Sequence, residues 1–211
     1  MKDNDMFCSV RGLAALVVVT LAVAGCTGSE GTPAEPTVPT AASTSSTTAA
    51  VDVSVIPQSI DEAYLTAVLA AIDEVDSEAT RLIVAAKNLT PAAAEYLNAI
   101  YSDEEFTNQT ELWYASFAED LQLGGIRASP GNRKTTIERV IDASPICVWL
   151  AVRRDYSEVN LDPGPEDTEY VALRPLDRSN DPRGLNRTAW MITDDGMLAD
   201  RSEPENPCPP E

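Results

Sequence analysis

The chain contains no histidine in 211 residues. This removes Ser-His-Asp and Cys-His nucleophile activation, histidine-bearing zinc sites and the side chain best suited to proton transfer near neutrality. The sequence also lacks G-x-S-x-G, S-x-x-K, G-x-x-x-x-G-K-[ST] and G-x-G-x-x-G, so nucleophile elbows, phosphate loops and dinucleotide folds are not indicated. What remains for chemistry is carboxylates, phenols, arginines and cysteines. Asp73, Glu74, Asp76 and Glu78 crowd one stretch, but neighbouring helical positions fan around the axis, which predicts a solvated face rather than a calcium site. Asp177 to Gly184 is acidic yet fails calcium-loop spacing. Arg174, Arg178, Arg183 and Arg187 cluster near it and suit an anionic partner, although pairing with Asp177 and Asp181 is the simpler expectation. No metal and no cofactor is expected.

The charge balance points the same way. Fifteen basic against 34 acidic residues leave a formal net charge of −19, the opposite of the basic footprint that nucleic-acid binding requires. Hydrophobic residues make up 44% of the chain and charged residues 23%, enough apolar material for one core. Of the 15 basic residues, 11 lie after Gly124, an asymmetry that can steer partners but names none.

The elements that must position these residues are helices first, strands second. Ser59-Ile60-Asp61-Glu62 reads as a capping box. Behind it Ile60, Tyr64, Val68, Ile72, Val75, Ala79, Leu82, Ile83 and Ala86 recur at threes and fours, which predicts one amphipathic helix to about Lys87. Thr90-Pro91 offers a second start, with Pro at the first helical position. Ser102-Asp103-Glu104-Glu105 opens a third, with Phe106, Trp113, Phe117 and Leu121 on one stripe before Gly124-Gly125. The period then changes. Thr135 to Ala143, Ile146 to Tyr156, Glu169 to Leu176 and Arg187 to Asp194 are β-rich, separated by turn chemistry that includes Pro130-Gly131 and Asp194-Asp195-Gly196. Ile146, Val148, Leu150 and Val152 alternate with Cys147, Trp149 and Ala151, so this strand is apolar on both faces and is expected at the sheet centre, close to Thr188-Trp190-Ile192. Helices grouped before strands predict an α+β fold with an antiparallel sheet.

The first residues are of another kind. Lys2 and Arg11 precede Leu13 to Ala24, 12 residues without charge; at about 1.5 Å per residue this spans roughly 18 Å, too short for a membrane and suited to a signal-peptide core. Leu21-Ala22-Val23-Ala24-Gly25-Cys26 resembles a bacterial lipobox. That resemblance implies removal of residues 1–25 as a lipoprotein signal peptide and lipid (palmitate-type acyl) attachment at Cys26, hence anchoring to the extracytoplasmic face of the cell membrane. Thr27 to Ala50 holds seven Thr, four Ser, five Ala and three Pro with Val38 as its one large aliphatic, so residues 26–57 are expected to form a disordered tether. Residues 58–211 are the expected single domain with its C-terminal tail. With Cys8 in the leader and Cys26 acylated, Cys147 and Cys208 are left as a pair, and in an exported protein a disulfide is expected between them. Their spacing suits neither a redox nor a metal pair.

A long helix, two shorter helices and a twisted antiparallel sheet of long strands is similar to the nuclear transport factor 2-like (cystatin-like) fold. Cys147 in the central strand, with a partner after Trp190-Met191-Ile192-Thr193-Asp194-Asp195-Gly196, looks like small actinobacterial lipoproteins of that class. The resemblance implies a cone between helices and sheet, with Tyr64, Tyr101, Trp113, Tyr114, Phe117, Trp149 and Trp190 as candidate pocket residues. Two functions stay open. One is a non-catalytic envelope module binding a protein partner or a small apolar ligand. The other is a ketosteroid isomerase- or polyketide cyclase-like enzyme, for which Tyr64, Tyr101, Tyr114, Asp142 and Asp155 are the residues on offer. An aspartate beside a tyrosine hydroxyl in an open pocket favours the enzyme; a filled, dry cone favours binding or scaffolding.

Overall fold

The computed structural model describes residues 51–164, 167–197 and 204–208, with backbone only for 112–116 and 197. The expected leader, Cys26 and nearly all of the expected tether lie outside the described residues. Among those described, helices α1 (Glu62–Ala86), α2 (Pro91–Ile100), α3 (Asp103–Asn108) and α4 (Tyr114–Leu123) precede strands β1 (Lys134–Ser144), β2 (Cys147–Asp155), β3 (Thr168–Pro175) and β4 (Trp190–Met197). The strands form one antiparallel sheet in the order β1-β2-β3-β4. The fold is α+β, as the grouping of elements predicts.

Local chemistry explains most boundaries. Thr90 caps α2 by accepting from Ala93 N at 3.1 Å, with Pro91 at the first helical position. Ser102 caps α3 through Glu105 N. At the start of α1 the cap is Asp61, which accepts from Tyr64 N at 2.8 Å, and not Ser59. Both side chains cap well; starting at Asp61 leaves Ile60 outside the helix, where it still packs on the core. The helix ends at Lys87, in the left-handed region at φ 54°. The third expected helix is α3 and α4 joined by a π-helical stretch, Gln109–Trp113. The wider turn shifts the stripe, yet Phe117 is buried and Phe106 and Leu121 pack against the core.

β2 is an interior strand apolar on both faces. Val148, Leu150 and Val152 face the helices with Val171, Leu173 and Ile192. Cys147, Trp149 and Ala151 form a second buried cluster with Tyr170, Ala172 and Cys208 on the opposite face. The expected disulfide is present: the Cys147 and Cys208 sulfurs are bonded, and the tail lies over that face. Trp149 and Tyr170 rings meet at 5.5 Å.

β4 departs from expectation twice. It is an edge strand beside β3, so Trp190 and Ile192 are two strands away from β2. It also runs from Trp190 to Met197 rather than from Arg187 to Asp194. Arg187 to Ala189 are drawn into a loop because the fully buried Asn186 uses every polar atom of its side chain there. Its amide donates to Ala99 O and Trp190 O, and its Oδ1 accepts from Thr188 N and Oγ1. Asp194-Asp195-Gly196, a turn signal by composition, continues the ladder opposite Ala172, Val171 and Tyr170.

Packing begins upstream of residue 58. Ala189 N donates to Val53 O at 2.8 Å. Tyr64 Oη accepts from Trp190 Nε1 at 2.8 Å and donates to Val55 O at 3.0 Å. Val53 and Ile56 pack on the core.

Candidate functional site

A cavity of about 800 Å³ opens between the inner sheet face and the helices. Its apolar wall comes from Leu89, Leu97, Phe117, Ile126 and Val159; its floor comes from charged groups, most of them buried, on five elements and segments.

The floor is built from the sequence upward. On α1 the buried face is apolar at Leu65, Val68, Leu69 and Ile72, then turns polar at Asp73, Asp76, Ser77 and Thr80. Beyond the end of α4, Pro130-Gly131 brings the chain back under α1. A Cβ on Gly131 would stand 2.8 Å from Glu158 Cβ, so only glycine permits this approach. The next residue but one, Arg133, thereby reaches α1. Its Nε donates to Asp73 Oδ1 at 2.9 Å, its Nη1 lies 3.3 Å from Asp76 Oδ2, and its N donates to Ser77 Oγ. Asp73 also accepts from Thr135 N and Oγ1. The second guanidinium is Arg154, at the polar end of β2. Its Nη1 donates to Glu169 on β3 and to Asp195 Oδ1 on β4 at 2.6 Å, tying three strands together. Tyr101 Oη donates to Asp195 Oδ2 at 3.3 Å. From the π-helical stretch, Gln109 Nε2 donates to Glu105 Oε1 and to Asp195 O.

Burial governs the electrostatics. It pushes the Asp76 carboxyl up against the opposing pull of Arg133, and it pushes Glu169 and Glu105 up as well. Tyr101 is raised well above the ordinary phenol range by burial and then by the Asp195 and Asp76 charges. For Arg133 burial disfavours the charge, but Asp76 and Asp73 outweigh it and the guanidinium stays protonated. Arg154 is held charged in the same way, chiefly by Asp195. Two buried side-chain atoms lack a hydrogen-bond partner among the described residues: Arg154 Nε in the floor and Trp149 Nε1 on the opposite sheet face. No group of three or more His, Cys, Asp or Glu side chains suited to a metal occurs among the described residues.

The expected pocket residues divide. Tyr101 and Phe117 line the cavity, as does Asp155, which accepts from Ser157 N and is lowered by its hydrogen bonds to that residue. Tyr64 and Trp190 are bonded to each other in the core, away from the cavity. Trp149 lies on the opposite sheet face, and Asp142 is held there by Asn206. The side chains of Trp113 and Tyr114 lie outside the described residues. The acidic run is not a uniformly solvated face: Asp73 and Asp76 are buried, while Glu74 is exposed and pairs with Arg187. Nor do the four arginines of the 174–187 segment simply pair locally. Arg178 does meet Asp181 at 3.7 Å, but Arg183 pairs with Glu95 on α2, Arg174 donates to Pro207 O, and Asp177 accepts from Ser179.

Sequence reading missed Asp76, Arg133, Arg154, Glu169 and Asp195. One signal was present: Arg154 and Glu169 interrupt otherwise apolar strand faces, at the end of the run Val148, Leu150, Val152 and before Val171 and Leu173. A charge at an inward strand position requires a partner. Comparison with protein-family models, curated proteins and solved structures found no significant match for this chain.

Proposed function

We propose that the chain is a lipid-anchored protein of the extracytoplasmic membrane face whose folded part, a nuclear transport factor 2-like cone, binds a small amphipathic molecule without transforming it. The observation that carries this reading is the cavity itself. It has an apolar wall, a volume of about 800 Å³ within the range of small-molecule sites, and a polar floor held rigid by ion pairs. The lipobox resemblance supports the anchor. The test is a titration of the full-length Cys26→Ser chain, free of detergent, with the uncharged fluorescent probe N-phenyl-1-naphthylamine. Saturable one-to-one binding is expected; no binding overturns the reading.

A second reading has one observation in its favour. Tyr101 Oη lies 3.3 Å from Asp195 Oδ2 in the cavity, the aspartate-tyrosine pairing expected of an isomerase-like enzyme. Against it, Asp195 has both oxygens engaged, one by Arg154 and one by Tyr101. Hydrogen-deuterium exchange at the α-carbons of a bound ketone separates the two. An enzyme accelerates it and loses the effect in Asp195→Asn; a binding module leaves it at the solvent rate.

A further inference from the structure

Arg154 lines the cavity and is 5% exposed. Its side-chain hydrogen bonds to Glu169 and Asp195 both run through Nη1. Its Nε has no acceptor. A buried donor left unpaired is unfavourable, and guanidinium geometry sets Nε and the neighbouring Nη2 side by side, an edge that fits an acceptor oxygen. Tyr101 donates to Asp195, and Gln109 to Glu105 and Asp195, while Tyr156 also lines the cavity beside Arg154. Arg154 Nε is therefore a buried donor that the floor still offers.

Charge selects among acceptors. The cavity is lined by Asp76, Asp120, Asp155, Asp167, Glu169 and Asp195 against Arg133 and Arg154, and both arginines already face carboxylates. A ligand carboxylate or phosphate at the Arg154 edge would be a third negative group around one guanidinium, with little water to screen it. A ligand cation would leave Nε unpaired and meet the guanidinium charge.

We infer that the cavity selects an uncharged amphipathic carbonyl compound (a ketone, ester or amide) whose oxygen accepts from the Nε–Nη2 edge of Arg154 and whose hydrocarbon part lies on the Leu89–Leu97–Ile126 wall. This inference rests on the binding reading above and names its ligand class.

The experiment uses the full-length Cys26→Ser chain with N-phenyl-1-naphthylamine bound and displaces the probe with three compounds built on a ten-carbon chain: decan-2-one, decanoate and decyltrimethylammonium. Decan-2-one is expected to displace it at about tenfold lower concentration than either charged compound, the factor that one hydrogen bond of ordinary strength supplies. Arg154→Lys, whose ammonium remains committed to Glu169 and Asp195, is expected to lose most of that advantage, read as the ratio of the ketone's to the charged compounds' displacing concentrations within the same variant. Equal or better displacement by decanoate or decyltrimethylammonium overturns the inference, as does an unchanged ketone preference in Arg154→Lys. If Arg154→Lys does not fold, the rank order with the unsubstituted residue decides alone. Failure of the probe to bind at all overturns the binding reading and this one together; probe binding with a charged compound preferred overturns this one only.

Discussion

Asp73 and Asp76 stand three positions apart on α1 and face the same guanidinium, yet their situations differ. Asp73 takes hydrogen bonds from Arg133 Nε, Thr135 N and Thr135 Oγ1; Asp76 meets Arg133 Nη1 at 3.3 Å, and burial raises its carboxyl above the usual range. A carboxyl raised in the folded state binds more protons there than in the unfolded chain. Its contribution to stability is therefore fully present below the unfolded value of 3.8 and is lost as pH rises through the folded value. Relative to Asp76→Asn, which has no proton to release, the natural chain should lose stability as pH rises from about 4 toward neutrality. Urea midpoints of both chains across that range check it, and a difference independent of pH counts against it. Helical spacing made α1 legible but not the burial of these two aspartates. Position 76 shares a face with Ile72, Ala79 and Ile83, yet an aspartate on that face is acceptable only because Arg133 arrives from a loop some 60 positions away in sequence. Local patterning holds no record of that encounter.

The elements were legible where capping and periodicity agree and obscure where a distant partner overrides them. Thr90, Pro91 and Ser102 start α2 and α3 as local chemistry dictates. Asp194-Asp195-Gly196 misleads because its turn composition is overridden by strand pairing with β3 and by the Arg154–Asp195 ion pair. The double apolar face of β2 was readable and has a structural consequence: the face away from the helices needs a cover, and the C-terminal tail supplies it through Cys208, with help from the Arg174–Pro207 and Asn206–Asp142 hydrogen bonds. The disulfide spans a sequence separation of 61 residues, for which chain entropy gives a stabilisation of about 4 kcal/mol. Cys208→Ser should lower the denaturant midpoint by a corresponding amount, a large share of the roughly 5–15 kcal/mol that holds such a domain. β2 should still form, because Val148, Leu150 and Val152 are buried on the other face. A midpoint unchanged from that of the oxidised chain would mean that the tail holds its place without the bridge.

At the scale of the whole molecule, the proposed anchor at Cys26 and the acidic folded part act in opposite directions on a membrane. No described helix is long and apolar enough to cross a bilayer, and the chain carries a net charge of −19, so an anionic lipid surface repels it. In the proposed arrangement acyl chains at Cys26 hold the protein at the membrane against this repulsion, each buried methylene worth about 0.8 kcal/mol. Cys26→Ala removes the proposed acylation site and leaves the repulsion. The substituted chain should appear entirely in the soluble exported fraction or as an uncleaved precursor, and the soluble form should not sediment with vesicles rich in anionic lipid even at low ionic strength. Fractionation followed by vesicle sedimentation reads both outcomes. Sedimentation that weakens as salt is added would reveal an electrostatic contact that the net charge opposes, and a detergent-extractable acylated form of Cys26→Ala would move the anchor to another residue.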